Sequence, residues 1–422
     1  MTVVGLDDTD SRTRGMCTTY LANVVAEALV GTGANVEELL LVRLNPAIEH
    51  KTRGNAALAI HTDCGPETAL EVASESIERL SETDDPNTQP GLVVASGDPE
   101  AVPDPIAEFA CRALRERLTL AEALELADTS GYTHRGWAGG RGRIGALAAV
   151  GAGRAFSEWT AELIAYRERE RWGTPRRADP DSVLRAADSE YPTVWDTVDR
   201  TTGDMVCVPH TPGPVLYGIR GDDSRAVRRV AERIEGEPVA TSALFTTNQG
   251  TDAHLREGEI GSVGDGRAYR LEGMVSNPPE TRRGGHVFFE IEDENERLRC
   301  AAFEPTKRFR DRVRALGVGD RITACGEVSA GTLKLEKFAV RELNRTAYRN
   351  PRCPDCGRSM ESAGRRQGYR CRDCSTSAEG KERIEIDRDL DVGWYEVPPT
   401  ARRHVAKPLV RGGFDGPIHP ER

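Results

Sequence analysis

Residues 2–30 of this chain, TVVGLDDTDSRTRGMCTTYLANVVAEALV, decide the fold of its N-terminal part. The apolar run TVVGL (2–6) stops at the polar stretch DDTDS (7–11), and apolar residues between 16 and 30 recur at helical spacing. This pattern predicts a buried strand, then a polar loop, then a helix. The segment is therefore expected to open a mixed α/β domain.

Three carboxylates stand at the end of the predicted strand. Asp7, Asp8 and Asp10 lie within four residues, and like charges this close repel one another unless a cation sits among them. Mg²⁺ together with a nucleotide is the natural occupant of such a loop. A solvated acidic loop at a strand end is the alternative interpretation.

The start of the predicted helix suits an anion. The run from Gly15 to Thr19 (GMCTT) brings a glycine and the hydroxyls of Thr18 and Thr19 to a place where free backbone N–H groups favour phosphate. Ordinary capping by Thr18 or Ser11 would explain the same residues. Cys17, at the same helix start, is also a candidate thiolate nucleophile.

A second loop is unusually rich in glycine. Residues 139–145 (GGRGRIG) precede the apolar run 146–150. Glycines this dense let backbone amides approach an anion, and arginines add positive charge. We therefore predict a second phosphate-binding loop, whose candidate residues are Gly140, Arg141, Gly142 and Arg143.

A polar turn separates two apolar runs, 39–44 and 55–60, which are expected to be paired strands. It carries Asn45, Lys51 and Arg53. These residues suit a loop that contacts substrate, and they suit an exposed hairpin tip equally well.

The strongest single motif is a set of four cysteines near the C-terminus. Cys353 and Cys356 form one C-x-x-C pair, and Cys371 and Cys374 form the other after a gap of 14 residues. Four thiolates complete a tetrahedral zinc site and leave no open position, so this zinc is predicted to be structural. The Arg-rich loop between the pairs, with Tyr369, suits RNA or is simply solvated.

The remaining segments divide the chain into further units. A helix is expected near 157–171, a boundary at the Pro- and Arg-rich stretch 173–180, and a small α/β sandwich beyond it. From 269 to 343, five short strands with a helix-like segment (306–316) before the fourth follow the order of an OB-fold barrel.

Composition limits the class of protein. The chain has 422 residues and a formal net charge of −11, which excludes a strongly basic nucleic-acid coat. The acidic body ends in a mildly basic tail after residue 340. No apolar run approaches the roughly 18 residues needed to span a bilayer, and the N-terminus lacks the features of a secretion signal. We expect a cytoplasmic protein that does not associate with membranes.

Taken in order, the motifs resemble one family. They are GLDDTDS (5–11), GMCTTYL (15–21), RLNP (43–46), KTRGNAAL (51–58), GRGRIGALAAVGA (140–152), ELIAYR (162–167), TTNQGTDAHL (246–255) and the cysteine pairs. Over almost its whole length the chain resembles the archaeal tRNA(Ile) 2-agmatinylcytidine synthetases.

The resemblance implies four domains. They are an ATP-binding, kinase-like catalytic domain (1–175), a ferredoxin-like domain (176–265), an OB-fold (266–345) and a zinc ribbon with a C-terminal tail (346–422). It also implies a ligase that uses ATP to phosphorylate the C2 oxygen of the first anticodon cytosine in the AUA-reading isoleucine tRNA, whose anticodon is CAU. Agmatine then displaces the phosphate to give agmatidine, and ATP is split to AMP and phosphates. No obligate protein partner is evident.

The resemblance also implies roles for particular residues. Asp7, Asp8 and Asp10 would hold Mg²⁺ and ATP, and Thr18 would be the threonine that the enzyme phosphorylates on itself, with Thr19 as the nearest rival. For the guanidinium of agmatine the candidates are Glu162 and Asp252. Either of these two could instead be an internal ion-pair partner of an arginine such as Arg167.

Two other classes of function compete with the ligase. A noncatalytic protein that binds tRNA or single-stranded nucleic acid would need the OB-fold and the ribbon, but it has no use for three adjacent carboxylates. A small-molecule kinase would use the carboxylates but not the RNA-suited C-terminal third.

Overall fold

Residues 2–247 build one nine-stranded sheet in the computed structural model, which describes residues 1–51 and 54–422. Its order is β5-β4-β1-β3-β2-β9-β6-β8-β7. The strands are β1 (Thr2–Asp7), β2 (Val36–Arg43), β3 (Ala56–Thr62), β4 (Gly91–Ser96), β5 (Thr133–Gly136), β6 (Thr160–Arg167), β7 (Val194–Trp195), β8 (Val215–Gly221) and β9 (Val239–Thr247). The helices are α1 (Thr18–Gly31), α2 (Pro66–Leu80), α3 (Asp104–Ala113), α4 (Leu120–Thr129), α5 (Arg143–Ala155), α6 (Pro180–Glu190) and α7 (Ser224–Glu232).

The strand, loop and helix expected at the N-terminus are confirmed. β1 is buried between β3 and β4 and pairs with both in antiparallel register. The predicted pairing of the runs at 39–44 and 55–60 is also confirmed, because β2 and β3 are antiparallel neighbours. Helix α5 crosses the sheet behind β1, and residues 145–152 of this helix are all buried.

The helix expected near 157–171 is wrong. Residues Thr160–Arg167 form β6, which lies between β8 and β9 and whose eight residues are all buried. A run that is covered on both faces is apolar at nearly every position, so its periodicity does not separate a strand from a buried helix.

β6 opens a βαββαβ unit that continues through α6, β7, β8, α7 and β9. The spatial order β9-β6-β8-β7 is that of a ferredoxin-like domain. The domain boundary expected at 175 therefore falls inside this unit, because β6 was expected to be a helix. Parallel pairing of β2 with β9, through Leu40 with Thr246 and Leu41 with Thr247, joins the two halves into one sheet.

The OB-fold barrel follows. It closes through β11 (Arg267–Thr281), β12 (Val287–Asp293), β13 (Glu296–Ala302), β14 (Arg321–Ser329) and β15 (Thr332–Glu342), with α8 (Phe309–Arg314) before β14. The parallel β13–β15 pair and the antiparallel β11–β14 pair complete the closure. The short β10 (Leu255–Glu257) lies parallel to β11. The strand order predicted for this segment is thus confirmed.

The cysteine module projects from the barrel on a two-stranded stem. The stem is β16 (Thr346–Arg349) with β20 (Glu382–Glu385), and the module itself contains β17 (Glu361–Ser362), β18 (Tyr369–Arg370) and β19 (Ser377–Ala378). Beyond it, residues 391–422 return to the body of the protein. We call this segment the C-terminal strap; its β21 (Gly393–Glu396) pairs with β15, and β22 (Ile418–His419) pairs with β21.

In the described part of the chain, no helix has the length and apolar character needed to cross a membrane.

Candidate active site

One large cavity, of about 1180 Å³, opens between the carboxyl end of β1 and the ferredoxin-like unit. It is large enough for more than one small ligand. The predicted site residues that line it are Asp7, Asp8, Asp10, Thr18, Thr19, Lys51, Arg141, Gly142 and Glu162. Gly15, Asn45, Gly140, Arg143 and Asp252 are not among its lining residues. Arg53 lies outside the described residues.

The aspartates form the acidic end of the cavity. The backbone N–H of Asp8 donates to Asp7 Oδ1 at 2.7 Å, and Arg141 Nη2 donates to Asp8 Oδ2 at 2.7 Å. Burial, reinforced by the charges of Asp8 and Asp10, raises the pKa of Asp7 well above its usual value. Burial also raises the pKa of Asp8, although Arg141 opposes that shift. Burial and mutual repulsion thus disfavour the charged forms of Asp7 and Asp8, and a bound cation would relieve both effects. This favours the cation-site interpretation over a solvated loop.

The glycine-rich loop brings helix α5 against Asp7. A Cβ atom at Gly145 would lie 1.9 Å from Asp7 Oδ2, and one at Gly142 would lie 2.6 Å from the Asp7 carbonyl oxygen. Only glycine permits this approach. The N-terminus of α5 therefore faces the acidic end of the cavity, and its dipole favours an anion there. The backbone N–H groups of Arg143 and Ile144 already donate within the loop, to the carbonyls of Gly140 at 3.2 Å and Arg141 at 3.0 Å.

The side chains of the two arginines in this loop extend in different directions. Arg141 reaches the cavity and also donates to the Asn87 carbonyl at 2.7 Å. Arg143 instead folds back on its own loop, where Nε donates to the Gly140 carbonyl at 2.9 Å. Gly140 itself has a φ of +65°, in the left-handed region that favours glycine.

Helix α1 brings two threonines to the same cavity. Thr18 and Thr19 are buried, and the Thr9 hydroxyl donates to Thr18 Oγ1 at 3.1 Å. Neither Thr18 nor Ser11 is the N-cap residue of α1; this position is held by Cys17, whose side chain makes no capping hydrogen bond. Gly15 has a φ of +98° and closes the preceding loop, where its carbonyl accepts from the Ser11 N–H at 3.0 Å.

The opposite side of the cavity is basic. Glu162 on β6 accepts a hydrogen bond from Arg220 Nε at 3.1 Å, and Arg43 Nη2 lies 3.7 Å from its other oxygen. Gln249 donates to the same carboxylate and accepts from Arg43 Nε at 3.0 Å. We call Arg43, Glu162, Arg220 and Gln249 the basic floor. It contains two cations and one anion.

His404, from the C-terminal strap, lies beside the basic floor. The positive charge of Arg43, together with burial and Arg220, holds the pKa of His404 well below its usual value. The imidazole is therefore neutral near pH 7, so it adds no charge to the basic floor.

The remaining substrate candidates are engaged in contacts inside the protein. Both oxygens of Asp252 accept from Lys337 Nζ, at 2.9 and 2.7 Å, and one also accepts from the backbone of Lys407. The buried Asn45 side chain donates to the Gly266 carbonyl at 3.1 Å. Lys51 lines the cavity and donates to the Pro46 carbonyl. The contacts of Glu162 and Asp252 favour the ion-pair alternative for both, although the partners are not Arg167, which binds Glu237.

The four cysteines converge as their spacing predicts. Their Sγ atoms all lie within 4.8 Å of one another, and Cys356 Sγ is 3.6 Å from Cys371 Sγ. Tetrahedral thiolate ligands at about 2.3 Å from zinc require sulfur separations of this size. The geometry supports a structural zinc site.

Sequence reasoning missed three residues of this cavity. Arg43 lies inside the RLNP motif, in which Asn45 has a predicted role and Arg43 has none. Arg220 and His404 have no local signal in the sequence, because they stand far from any predicted site residue. They reach the cavity only through the pairing of β6 with β8 and through the return of the strap.

Family models cover most of the chain. The model of the TiaS TCKD domain matches residues 3–138, and that of the TiaS FLD domain matches residues 140–254. An OB-fold nucleic acid binding domain matches residues 269–338. The TiaS C-terminal zinc ribbon domain matches residues 350–390. The predicted fold class is thereby confirmed.

Full-length relatives and solved structures agree. The chain is 54% identical to the isoleucine-tRNA 2-agmatinylcytidine synthetase TiaS of Haloquadratum walsbyi over all of both chains, and 47% identical to that of Methanosarcina mazei over 97% of each. The crystal structure of TiaS in complex with isoleucine tRNA and ATP superposes with a TM-score of 0.90 at 42% identity, covering 100% of this chain and 99% of that one. The complex of TiaS with isoleucine tRNA, AMPCPP and agmatine gives 0.88 at 40%, with the same coverage. The chain therefore belongs to the TiaS family of isoleucine-tRNA 2-agmatinylcytidine synthetases.

Proposed function

We propose that this protein is the ATP-dependent ligase that converts the first anticodon cytidine of the AUA-reading isoleucine tRNA to agmatidine. One observation carries the proposal: a single cavity joins the aspartate loop, the N-termini of α1 and α5, and the basic floor. The cavity thus combines groups that suit a nucleotide with groups that suit a phosphorylated base. Because the substrate is a tRNA, we place the activity in the cytoplasm.

In the first half-reaction, the C2 oxygen of cytosine attacks the terminal phosphorus of ATP, the bond from this phosphorus to the bridging oxygen breaks, and ADP is left. The split to AMP then requires a second phosphoryl transfer, from ADP to the Thr18 hydroxyl, followed by hydrolysis that releases phosphate. We propose that Asp7, Asp8 and Asp10 hold Mg²⁺ with ATP at the acidic end. The raised pKa values of Asp7 and Asp8 support this assignment, since a bound cation would offset the burial and mutual repulsion that raise them. Mg²⁺ is usually held by one or two carboxylates together with substrate phosphates. When bound, it supplies neutralisation of the charge on the transferring phosphoryl group.

The protein's own groups position the nucleotide. Arg141 orients Asp8 and presents its guanidinium to the cavity. The positive end of the α5 dipole, next to Gly142, suits phosphate oxygens. On the other side, we propose Thr18 as the residue that is transiently phosphorylated, with Thr19 as its rival, because both hydroxyls lie at the cavity wall.

In the second half-reaction, the amine of agmatine attacks C2. A carbonyl-type oxygen is a poor leaving group, whereas a phosphate leaves readily, so phosphorylation prepares the base for substitution. Agmatine must enter as a free amine at its reacting end. The loop at 204–211, in which Asp204 and His210 are exposed, lines the cavity and offers polar groups to a cationic substrate.

A noncatalytic tRNA-binding protein remains the second candidate, on the strength of the OB-fold and the ribbon. The acidic end of the cavity argues against it, because buried carboxylates repel a phosphate backbone and are costly to keep without a catalytic purpose.

The decisive experiment combines purified protein, a transcript of the isoleucine tRNA, ATP, Mg²⁺ and labelled agmatine. We expect the label to enter the tRNA only when ATP is present, and only when the first anticodon position is cytidine. A transcript with uridine at that position is the control. Binding of tRNA without ATP-dependent label incorporation would instead support the noncatalytic candidate.

Thr18 has its own test. After incubation with Mg²⁺ and ATP, mass spectrometry should place an added mass of about 80 Da on the peptide that spans residues 15–20, as phosphorylation requires. Fragment ions distinguish Thr18 from Thr19, and a Thr18→Val variant is the control. Modification of Thr19, or of neither threonine, would contradict the choice of Thr18.

A further inference from the structure

The basic floor carries more positive charge than its own residues neutralise. Its side chains are largely buried: 12% of Arg43, 15% of Arg220 and 3% of Glu162 is exposed. Arg220 and Glu162 are paired across adjacent strands, and both are held in place by the sheet. Within the floor, two guanidinium groups against one carboxylate leave a surplus of one positive charge. The buried Asp196 also interacts with the charge of Arg220, but its ion-pair partner is Arg402 of the strap.

The hydrogen-bonding capacity of the floor is also incomplete. Arg220 uses Nε for Glu162, while no described residue accepts a hydrogen bond from either of its terminal amino groups. Buried charged groups are ordinarily paired and hydrogen-bonded. Arg220 lines the cavity, so these amino groups are presented to whatever binds there.

The floor therefore suits an anion and not a cation. Agmatine carries a guanidinium at one end and an amine at the other, so a surplus positive charge repels it. Neutral His404 adds no charge, and the reaction itself supplies only phosphate groups as anions. The identification of this anion as the phosphate on cytosine rests on the proposed function, which places phosphorylated cytosine in the same cavity.

The second half-reaction needs stabilisation of an anion as it leaves. The amine nitrogen forms a bond to C2, and the bond from C2 to the phosphorylated oxygen breaks with its electron pair going to that oxygen. The nitrogen loses one proton, the phosphate takes it up, and hydrogen phosphate departs. Negative charge grows on the leaving oxygen in the transition state, where donors in fixed positions are most effective.

We propose that Arg220 and Arg43 bind the phosphate group on the cytosine C2 oxygen and stabilise it as it leaves. Glu162 and Gln249 are positioning residues that fix the two guanidinium groups. The acidic end of the cavity thus serves phosphoryl transfer to the base, and the basic floor serves the departure of phosphate from the base.

The test is a single-turnover measurement on the full-length protein with isoleucine tRNA transcript, ATP labelled at the γ-phosphate, and agmatine. Arg220→Gln should slow the agmatine-dependent loss of phosphate about 10- to 100-fold, the range expected for one lost donor to a developing oxyanion. Phosphorylated tRNA should accumulate, and the agmatine KM should not rise. Arg220→Lys, which keeps the charge, should lose less. Arg229→Gln, an exposed arginine of α7 paired with Glu190, is the matched control and should react at the parental rate.

The other outcomes overturn the inference in distinguishable ways. An unchanged rate of phosphate loss in Arg220→Gln would remove Arg220 from the second half-reaction. Weaker tRNA binding with equal slowing of both half-reactions would mean that Arg220 contacts a backbone phosphate of the RNA. A raised agmatine KM with an unchanged saturating rate would place agmatine on the floor. If the parent enzyme makes no agmatidine at all, the proposed function itself fails, and the inference fails with it.

Discussion

The four-cysteine cluster and the aspartate loop are built in opposite ways. The cysteine ligand atoms gather within 4.8 Å, and no other group of three or more His, Cys, Asp or Glu ligand atoms is so close in the described ranges 1–51 and 54–422. The cluster is a closed site that the chain completes by itself, as structural zinc sites are. The aspartates instead line an open cavity, and in the proposed function a nucleotide with its cation completes their site. The contrast is between a structural metal site, closed by protein ligands, and a site that is open to ligands from solution.

The largest effect is expected at the open site. Asp10→Ala should lower Mg²⁺-dependent ATP cleavage by about 10³-fold or more, because the charge on the transferring phosphoryl group is no longer neutralised. Affinity for tRNA and zinc content should stay near the parental values. An ATP cleavage assay measures the activity, filter binding measures the affinity for tRNA, and metal analysis measures the zinc content.

Asp84→Ala is the matched control, because this carboxylate is 82% exposed and lies outside the cavity. Substantial ATP cleavage by Asp10→Ala would contradict the metal assignment of the aspartate loop.

At the closed site, Cys353→Ser should release the zinc and unfold the cysteine module, since metal binding supplies the folding energy of so small a unit. Label incorporation into tRNA should fall by about 10²-fold through lost binding, while ATP cleavage without tRNA persists. Cys111→Ser, a half-buried cysteine outside the module, should keep the zinc.

If Cys353→Ser loses both activities together, the cysteine module supports the catalytic cavity directly. The two sites would then not be independent, and the comparison above would fail.

A smaller effect is expected when the contact between α5 and Asp7 is overpacked. Gly145→Ala places a methyl group 1.9 Å from Asp7 Oδ2, so either Asp7 or α5 must move. We expect ATP cleavage to fall about tenfold and the free energy of unfolding to fall by about 1–3 kcal/mol, as overpacking does. Steady-state kinetics measures ATP cleavage, and chemical denaturation measures the free energy of unfolding.

Gly153→Ala in the same helix is the matched control, because its nearest neighbour would be 3.6 Å away. It should raise the free energy of unfolding by up to about 1 kcal/mol through helix propensity. Equal behaviour of the two variants would show that the contact between α5 and Asp7 is unimportant.

The smallest effect concerns the two candidate agmatine carboxylates. Asp252→Asn should leave the agmatine KM unchanged and lower the free energy of unfolding by about 1–3 kcal/mol, because Lys337 is then buried without its ion-pair partner. Glu162→Gln should lower the rate of the second half-reaction without raising this KM. A raised agmatine KM in either variant would restore that residue as the guanidinium site.

Local spacing in the sequence was sufficient for several parts of this protein. The cysteine pairs, the strand and helix around the aspartate loop, and the strand order of the OB-fold each depend on residues that are near neighbours in the chain. The motifs also identified the family. In all these cases the geometry follows from short-range chemistry, such as four thiolates that meet at one ion or an apolar run that must be buried.

Only the tertiary structure decided the rest. The segment Thr160–Arg167 is a strand because β8 and β9 cover its edges, and its apolar run is equally compatible with a buried helix. Glu162 meets Arg220 through strand pairing, and His404 arrives from the strap after the chain has passed through the cysteine module. Asp252 is held by Lys337 of the OB-fold. Whether a charged residue faces a substrate or another side chain depends on partners tens to hundreds of positions away, and local sequence patterns carry no record of them.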